Sequence, residues 1–273
     1  MSIAPSIVEH DQIPSALALN ATQFNLSRVL GPALAGVLAS VGAVGCFALN
    51  GVSYLPFIWV ALWILPRGKA PASMDDGSLL TGVRDIARMP HLRGALLTVL
   101  ATSILCGPLI VFCPVLVKTA LHRDIGDFSL SIGAFGLGGL VGAIALLGVD
   151  STHDRRRLSS WFAGGYGLIL VLAAVNPWFW GLPALLGLAG IAMTVSNTSA
   201  NSLIQATTLP GLRGQTVSLF MLAVRGGVSV GSLLTGLSAH LLGVRYALLI
   251  NGVLAVATQF AIGYRWLSSP SPE

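Results

Sequence analysis

Charged side chains are scarce in this chain. Asp, Glu, Lys and Arg together make up 9% of its 273 residues, whereas an ordinary soluble domain has about 25%. So few charges cannot cover a normal water-facing surface, which argues against a soluble protein of this length. Hydrophobic residues account for 54% of the sequence, and this excess points to a protein that lies within a lipid bilayer.

The residues that most active sites require are also few or scattered. Cys46, Cys106 and Cys113 fall in apolar stretches and form neither a disulfide framework nor a metal-binding spacing. The five histidines are dispersed, and no phosphate-binding loop, intramembrane acid pair or Ser-His arrangement is present. We therefore expect no enzyme activity, no cofactor and no metal. The net charge of +5 resides mostly between apolar stretches, which favours membrane topology over a nucleic-acid partner.

Long apolar runs dominate the sequence. A helix needs about 20 residues to cross a bilayer, and within lipid the backbone must satisfy its own hydrogen bonds. The runs contain almost no charge except Arg28 and Arg225, so we predict an all-α polytopic membrane protein with eight transmembrane helices. The runs are Leu17–Gly42, Val44–Leu65, Gly94–Val117, Phe128–Gly148, Leu158–Val175, Trp178–Leu203, Thr216–Leu242 and Tyr246–Trp266.

Basic residues between the runs predict the orientation. If the long polar connection Pro66–Arg93 is cytoplasmic, ten basic residues of the connecting segments lie inside and three outside, and both termini are cytoplasmic. A short amphipathic helix is expected at Leu79–Met89 within this connection. Tryptophans then fall near both membrane surfaces: Trp178 and Trp180 outside, and Trp63, Trp161 and Trp266 inside.

The sequence repeats itself at a distance near 200 residues. Ile13-Pro14 matches Leu209-Pro210, and Asn50-Gly51-Val52 matches Asn251-Gly252-Val253, with several glycines aligned between them. Chance matching in a Gly- and Leu-rich sequence is the alternative, and the shared Asn-Gly-Val argues against it. The first two runs thus correspond to the last two. Because four runs precede the last pair, we expect the chain to represent the last eight helices of a twelve-helix design.

A proline-containing motif lies in the first run. Residues 27–36, Ser-Arg-Val-Leu-Gly-Pro-Ala-Leu-Ala-Gly, resemble the antiporter motif of the major facilitator superfamily, G-x-x-x-G-P-x-x-G-G, found on its fifth helix. Gly31, Pro32 and Gly36 occupy motif positions, while Ser27 and Ala35 replace two motif glycines. Small residues at these positions let helices approach closely.

The wider stretch Leu17–Val52 is similar to the branch of that superfamily that contains enterobactin-exporter-like and macrolide-efflux-like permeases. The resemblance implies a major-facilitator-like helical bundle in a bacterial inner membrane. It also implies three parts: residues 1–65 as the last two helices of an N-terminal lobe, 66–93 as a cytoplasmic linker, and 94–273 as a six-helix C-terminal lobe.

Polar residues inside the apolar runs are candidates for a substrate pathway. Helices that correspond to those lining the superfamily's central cavity carry Thr102 and a polar stripe with helical spacing. The stripe is either cavity lining or interhelical packing, and Arg28 and Arg225 either hold an anionic group or serve structure. The stripe consists of Thr194, Asn197, Asn201 and Gln205.

Two further patterns concern packing and a cytoplasmic turn. Glycines at residues 133–142, together with Gly227 and Gly231, predict close helix contacts. Residues 148–157 loosely resemble the superfamily's charged motif G-x-x-x-D-R-x-G-R-R, which implies a conformational latch between helices. A solvated basic turn is the alternative. The charged residues of this turn are Asp150, Asp154, Arg155, Arg156 and Arg157.

The resemblance implies a secondary active transporter that exports a small amphipathic molecule, such as a siderophore or a drug, by alternating access. Proton coupling is implied by the resemblance alone, because no acidic residue lies inside a run. Membrane lipid and a small-molecule substrate are the expected partners, and nucleic acid is not. The alternative is a truncated or non-transporting fragment of such a permease: a gene fragment, a chain with a misplaced start, or a subunit whose missing N-terminal half another chain supplies.

Overall fold

The described part of the molecule is helical. The computed structural model describes residues 42–63, 89–123, 125–148, 154–208 and 213–267. The helices are α1 Gly42–Trp63, α2 Pro90–Leu105, α3 Pro108–Val115, α4 Ile125–Leu147, α5 Arg155–Val175, α6 Gly181–Thr207, α7 Arg213–Leu242 and α8 Val244–Leu267, with a π-helical turn at Leu116–Ala120 after α3.

The helices agree with the predicted runs. Six spans in the described residues are long and apolar enough to cross a membrane, namely α2 and α3 together and each helix from α4 to α8. Helix α1 has 22 residues, and its apolar stretch Phe47–Val60 is exposed. The prediction of an all-α membrane fold is confirmed. The first run, Leu17–Gly42, and the amphipathic helix predicted at Leu79–Met89 lie almost wholly outside the described residues.

Some helices begin at other residues than predicted, because particular side chains determine where the helix starts. Helix α2 begins at Pro90, because proline at the first helical position loses no hydrogen bond. Helix α6 begins at Gly181 and not at Trp178, since Asn176 holds a turn before it. The Asn176 amide donates to the Trp178 carbonyl at 2.7 Å, and its oxygen accepts from the Trp178 N–H at 3.2 Å.

The bundle has two apolar clusters. The larger joins α3, α4, α5, α6 and α8, with fully buried Leu109, Leu170, Leu186 and Leu248 among its members. The smaller lies where α2 and α7 begin and α6 and α8 end, and it includes Trp266. Trp266 is only 3% exposed and packs against Gly94. A glycine opposite the indole leaves room to bury the ring within the bundle.

Glycines bring two pairs of helices into close contact. On α7, a Cβ at Gly227 would lie 2.8 Å from the Ser103 Cβ on α2, and one at Gly231 would collide with the Ile104 carbonyl. On α4, a Cβ at Gly138 would collide with the backbone of α6. The prediction of close packing is confirmed at these positions, whereas Gly133 has nothing within 4 Å of its Cβ position.

Candidate functional site

The span formed by α2 and α3 is broken near its middle. It runs from Leu92 to Ala120, and Cys106-Gly107 separates the two helices. Pro108 has no N–H, so the Ile104 carbonyl loses its usual helical partner. The Cys106 and Gly107 N–H groups both donate to the Thr102 carbonyl, at 2.8 and 3.2 Å.

Helix α5 supports this break. The Tyr166 hydroxyl donates to the Cys106 carbonyl at 3.3 Å, and Tyr166 is only 1% exposed. A tyrosine that is buried in an apolar bundle needs a hydrogen-bond partner, and the broken helix provides one. The sequence pattern did not indicate this contact, because the two residues are 60 positions apart.

A buried polar cluster joins α2 to α8. The Gln259 amide donates to the Thr98 carbonyl at 3.0 Å and to Thr102 Oγ1 at 2.9 Å. All three residues are at most 3% exposed, and Gln259 Oε1 and Thr98 Oγ1 are buried without a hydrogen-bond partner. Thr102, predicted to line a substrate pathway, thus has a partner within the bundle. Gln259 was not identified from the sequence, since one polar residue in an apolar helix has no periodicity.

The polar stripe on α6 has mixed surroundings. Thr194 is 7% exposed and lies opposite α4, 3.1 Å from where a Cβ of Gly139 would be. Asn197 and Asn201 are half-buried, and the Asn197 side-chain oxygen is buried without a hydrogen-bond partner. Thr194 therefore belongs to interhelical packing, and the two asparagines remain the cavity candidates. The side chain of Gln205 lies outside the described residues.

Of the two arginines that the sequence places inside apolar runs, the structure describes only Arg225. Arg225 lies near the middle of α7 and is exposed, on the same side as Leu222 and Leu233, which are 65% and 77% exposed. The opposite side of α7, with Gly227 and Gly231, packs on α2. Arg28 lies outside the described residues, as do Gly31, Pro32 and Gly36 of the antiporter-like motif.

The basic turn begins α5 with a capped helix. Asp154 is the N-cap, and its carboxylate accepts from the Arg156 N–H at 2.9 Å and from Arg156 Nε at 3.2 Å. Arg157 Nε lies 3.8 Å from the same carboxylate. The Arg156 side chain is 7% exposed, whereas that of Arg157 is 73% exposed. Asp154, Arg156 and Arg157 are thus brought together as an ion-paired cap, with Arg155 half-buried beside them. Asp150 lies outside the described residues.

A second arginine fastens the opposite end of the bundle. Arg245, at the start of α8, donates through Nη2 to the Ala120 and Asn176 carbonyls, each at 3.2 Å. These carbonyls lie just beyond α3 and α5, so one side chain connects three helix ends. Arg123 stacks over the buried Phe179 ring at 5.3 Å from its centroid. In the sequence these two arginines indicated only the orientation of the chain, and neither contact was predicted.

The described residues contain no group of three or more His, Cys, Asp or Glu side chains that is suited to a metal ion. What they present is a broken membrane helix, buried amide and hydroxyl groups, and a mid-span arginine. Together with the six membrane-length spans, these features describe a polytopic membrane protein that carries polar groups inside its helical bundle.

The family model described as "Transmembrane secretion effector", within the major facilitator superfamily, matches residues 1–269. The chain belongs to this family, which indicates a transporter. Among solved structures it is similar to a bacterial homolog of the human lysosomal transporter Spinster, crystallised in an inward-facing and unoccupied conformation. The TM-score is 0.61 at 15% identity, over 99% of this chain and 75% of that one, which shows the shared fold. No curated protein matches the chain.

Proposed function

We propose that this protein is a secondary active exporter of a small amphipathic molecule, driven by a proton gradient, with both termini in the cytoplasm of a bacterium. The observation that carries the proposal is Arg225, a charged residue near the middle of an apolar helix and exposed on the side that faces away from α2. A central arginine costs about 2.5–3.5 kcal/mol to place in lipid on insertion scales. That cost is avoided if this side of α7 faces a water-filled pathway.

Within this pathway Arg225 attracts an anionic or electron-rich group of the substrate. Asn197 and Asn201, whose side chains are half-buried on α6, supply hydrogen bonds to the substrate. Thr102 enters the pathway only indirectly, by holding Gln259 against the broken helix. Arg28 and Gln205 belong to the same proposed pathway.

In the proposed cycle, the ion-paired turn that begins α5 acts as the latch at the cytoplasmic end. Asp154 holds Arg156 and Arg157 when the turn is closed, and loss of these contacts would accompany opening. The carboxylate already stabilises α5 as its N-cap, so opening would also loosen the first turn of the helix. Residues 1–65, 66–93 and 94–273 remain the proposed lobe, linker and lobe.

An accumulation assay tests the proposal. Bacteria that lack their own drug exporters are given labelled erythromycin or a catecholate siderophore, with and without a protonophore. We expect cells that express this chain to accumulate less probe than empty-vector cells, and the protonophore to abolish the difference. Equal accumulation, with the protein stably inserted, would count against export of these compounds by this chain.

The variant Arg225→Ala tests the site itself. Loss of a binding contact to a charged group, worth about 1.5–3 kcal/mol, should lower export of an anionic probe by about tenfold or more. Lys118→Ala is the matched control, because Lys118 is an exposed basic residue outside the proposed pathway. If Arg225→Ala exports as well as Lys118→Ala while both insert normally, the pathway role of Arg225 is refuted.

A further inference from the structure

An apolar groove lies on the surface of the bundle between α5 and α6. Its volume is about 280 Å³, and it is lined by Trp161, Phe162, Gly165 and Ile169 from α5 and by Leu188, Ile191 and Ala192 from α6. Trp161 is 75% exposed and Leu188 is 52% exposed. A Cβ at Gly165 would have nothing within 4 Å. The missing side chain therefore leaves the floor of the groove open.

Two arginines flank this groove at the end where α5 begins. Successive residues of a helix are rotated by about 100°, so Arg155 and Arg157 fall on either side of the stripe that lines the groove, while Arg156 falls on the far side. Burial agrees with this geometry, because Arg156 is buried and Arg157 is 73% exposed. Long arginine side chains at a helix end extend towards the membrane surface.

The order of residues along α5 matches the order of chemical groups in a phospholipid. Arg155 and Arg157 come first, and Trp161 follows one turn later, the residue type that favours the headgroup level of a membrane. The open floor at Gly165 follows about 12 Å beyond Arg157, at a rise of about 1.5 Å per residue. Cationic, amphipathic and apolar surfaces thus succeed one another from the membrane surface inward.

We infer that this groove binds one anionic glycerophospholipid, with an acyl chain between α5 and α6 and its phosphate at Arg157 and Arg155. Charge complementarity selects this occupant over a second copy of the chain, because an apolar helix packed into the groove would offer no anion to the arginines. The groove is separate from the proposed pathway at Arg225, whereas Arg157 also belongs to the cytoplasmic turn proposed as the latch.

Native mass spectrometry of the full chain, purified and delipidated in detergent, tests the inference. The probes are phosphatidylglycerol and phosphatidylcholine with the same acyl chains. We expect phosphatidylglycerol to bind with the higher affinity, by about fivefold for each arginine near the phosphate. Equal affinity for the two lipids, or dimers in place of lipid adducts, would overturn the inference.

Two pairs of variants locate the site. Gly165→Leu fills the groove and should reduce phosphatidylglycerol binding by about tenfold or more, the effect of removing a buried acyl segment. Gly164→Leu is its control, because a Cβ there also has nothing within 4 Å but Gly164 does not line the groove. Arg157→Gln should lower the preference for phosphatidylglycerol, and Lys118→Gln should not. If both leucine variants bind lipid alike, the groove is not the site.

Discussion

Replacement of Gly231 tests how the broken helix is held in the bundle. Gly231 lies on α7 against the Ile104 carbonyl, the group that Pro108 leaves without a helical partner. A glycine Cα–H is the only group small enough to approach this oxygen, where it can form a weak hydrogen bond. In Gly231→Ala the new methyl group would collide with the carbonyl, so α7 must move away from α2.

The expected change in stability of Gly231→Ala is the balance of two opposing effects. Overpacking of a close helix contact costs about 1–3 kcal/mol, whereas replacing glycine by alanine inside a helix gains about 1 kcal/mol. Gly226→Ala in the same helix isolates the gain, because its Cβ would lie 3.5 Å from Leu222 Cδ1, an ordinary contact. Gly231→Ala should therefore be less stable than Gly226→Ala by about 2 kcal/mol, or about 4–8 °C in the unfolding midpoint.

Native cysteines report this unfolding. Cys106 and Cys113 are both 0% exposed, so a thiol-reactive fluorophore labels them only when the bundle opens. The assay is run in detergent on the whole chain, with Cys46 replaced by serine. Equal midpoints for Gly231→Ala and Gly226→Ala would refute the argument that this glycine sets the distance between α2 and α7.

Two further substitutions probe the polar contacts with the same assay. Gln259→Leu removes two interhelical hydrogen bonds, which in membranes contribute about 0.6 kcal/mol each, and also removes a buried, unsatisfied oxygen. We expect the unfolding midpoint to change by less than about 2 °C. A drop of more than about 5 °C would show that the cluster stabilises the bundle far more than its two hydrogen bonds account for. Arg245→Gln removes the contacts that connect three helix ends and should lower the midpoint by about 4–8 °C. A midpoint equal to that of Lys118→Gln, an exposed lysine, would contradict the fastening role of Arg245.

Much of the fold was predictable because the bilayer constrains the chain more simply than water does. Within lipid each span must satisfy its own backbone, so a long apolar run can only be a helix. The seven runs from Val44 to Trp266 accordingly coincide with the helices to within a few residues, with α2 and α3 together occupying one run. The glycines also predicted their role, since a residue without a side chain inside an apolar helix most often permits close approach.

The candidate site was predictable only in part. The helical spacing of Thr194, Asn197 and Asn201 placed them on one side of α6, but that spacing cannot tell which helix they face. The contacts of Gln259 and Tyr166 could not be predicted, because each is a single polar residue whose partner is far away in the sequence. The burial of Trp266 likewise depends on Gly94, more than 170 positions away in the sequence, which no local pattern connects to it.

The sequence by itself determined that this protein lies in a membrane, where its described helices run and that it belongs to the major facilitator superfamily, because hydrophobicity and motifs are properties of the sequence alone. The tertiary structure decided which polar groups meet. It pairs Gln259 with Thr98 and Thr102, turns the basic run at α5 into a capped ion pair, and opens a groove beside Gly165. Contacts of this kind depend on how helices rotate and approach one another, and that geometry is set by packing between segments distant in the chain.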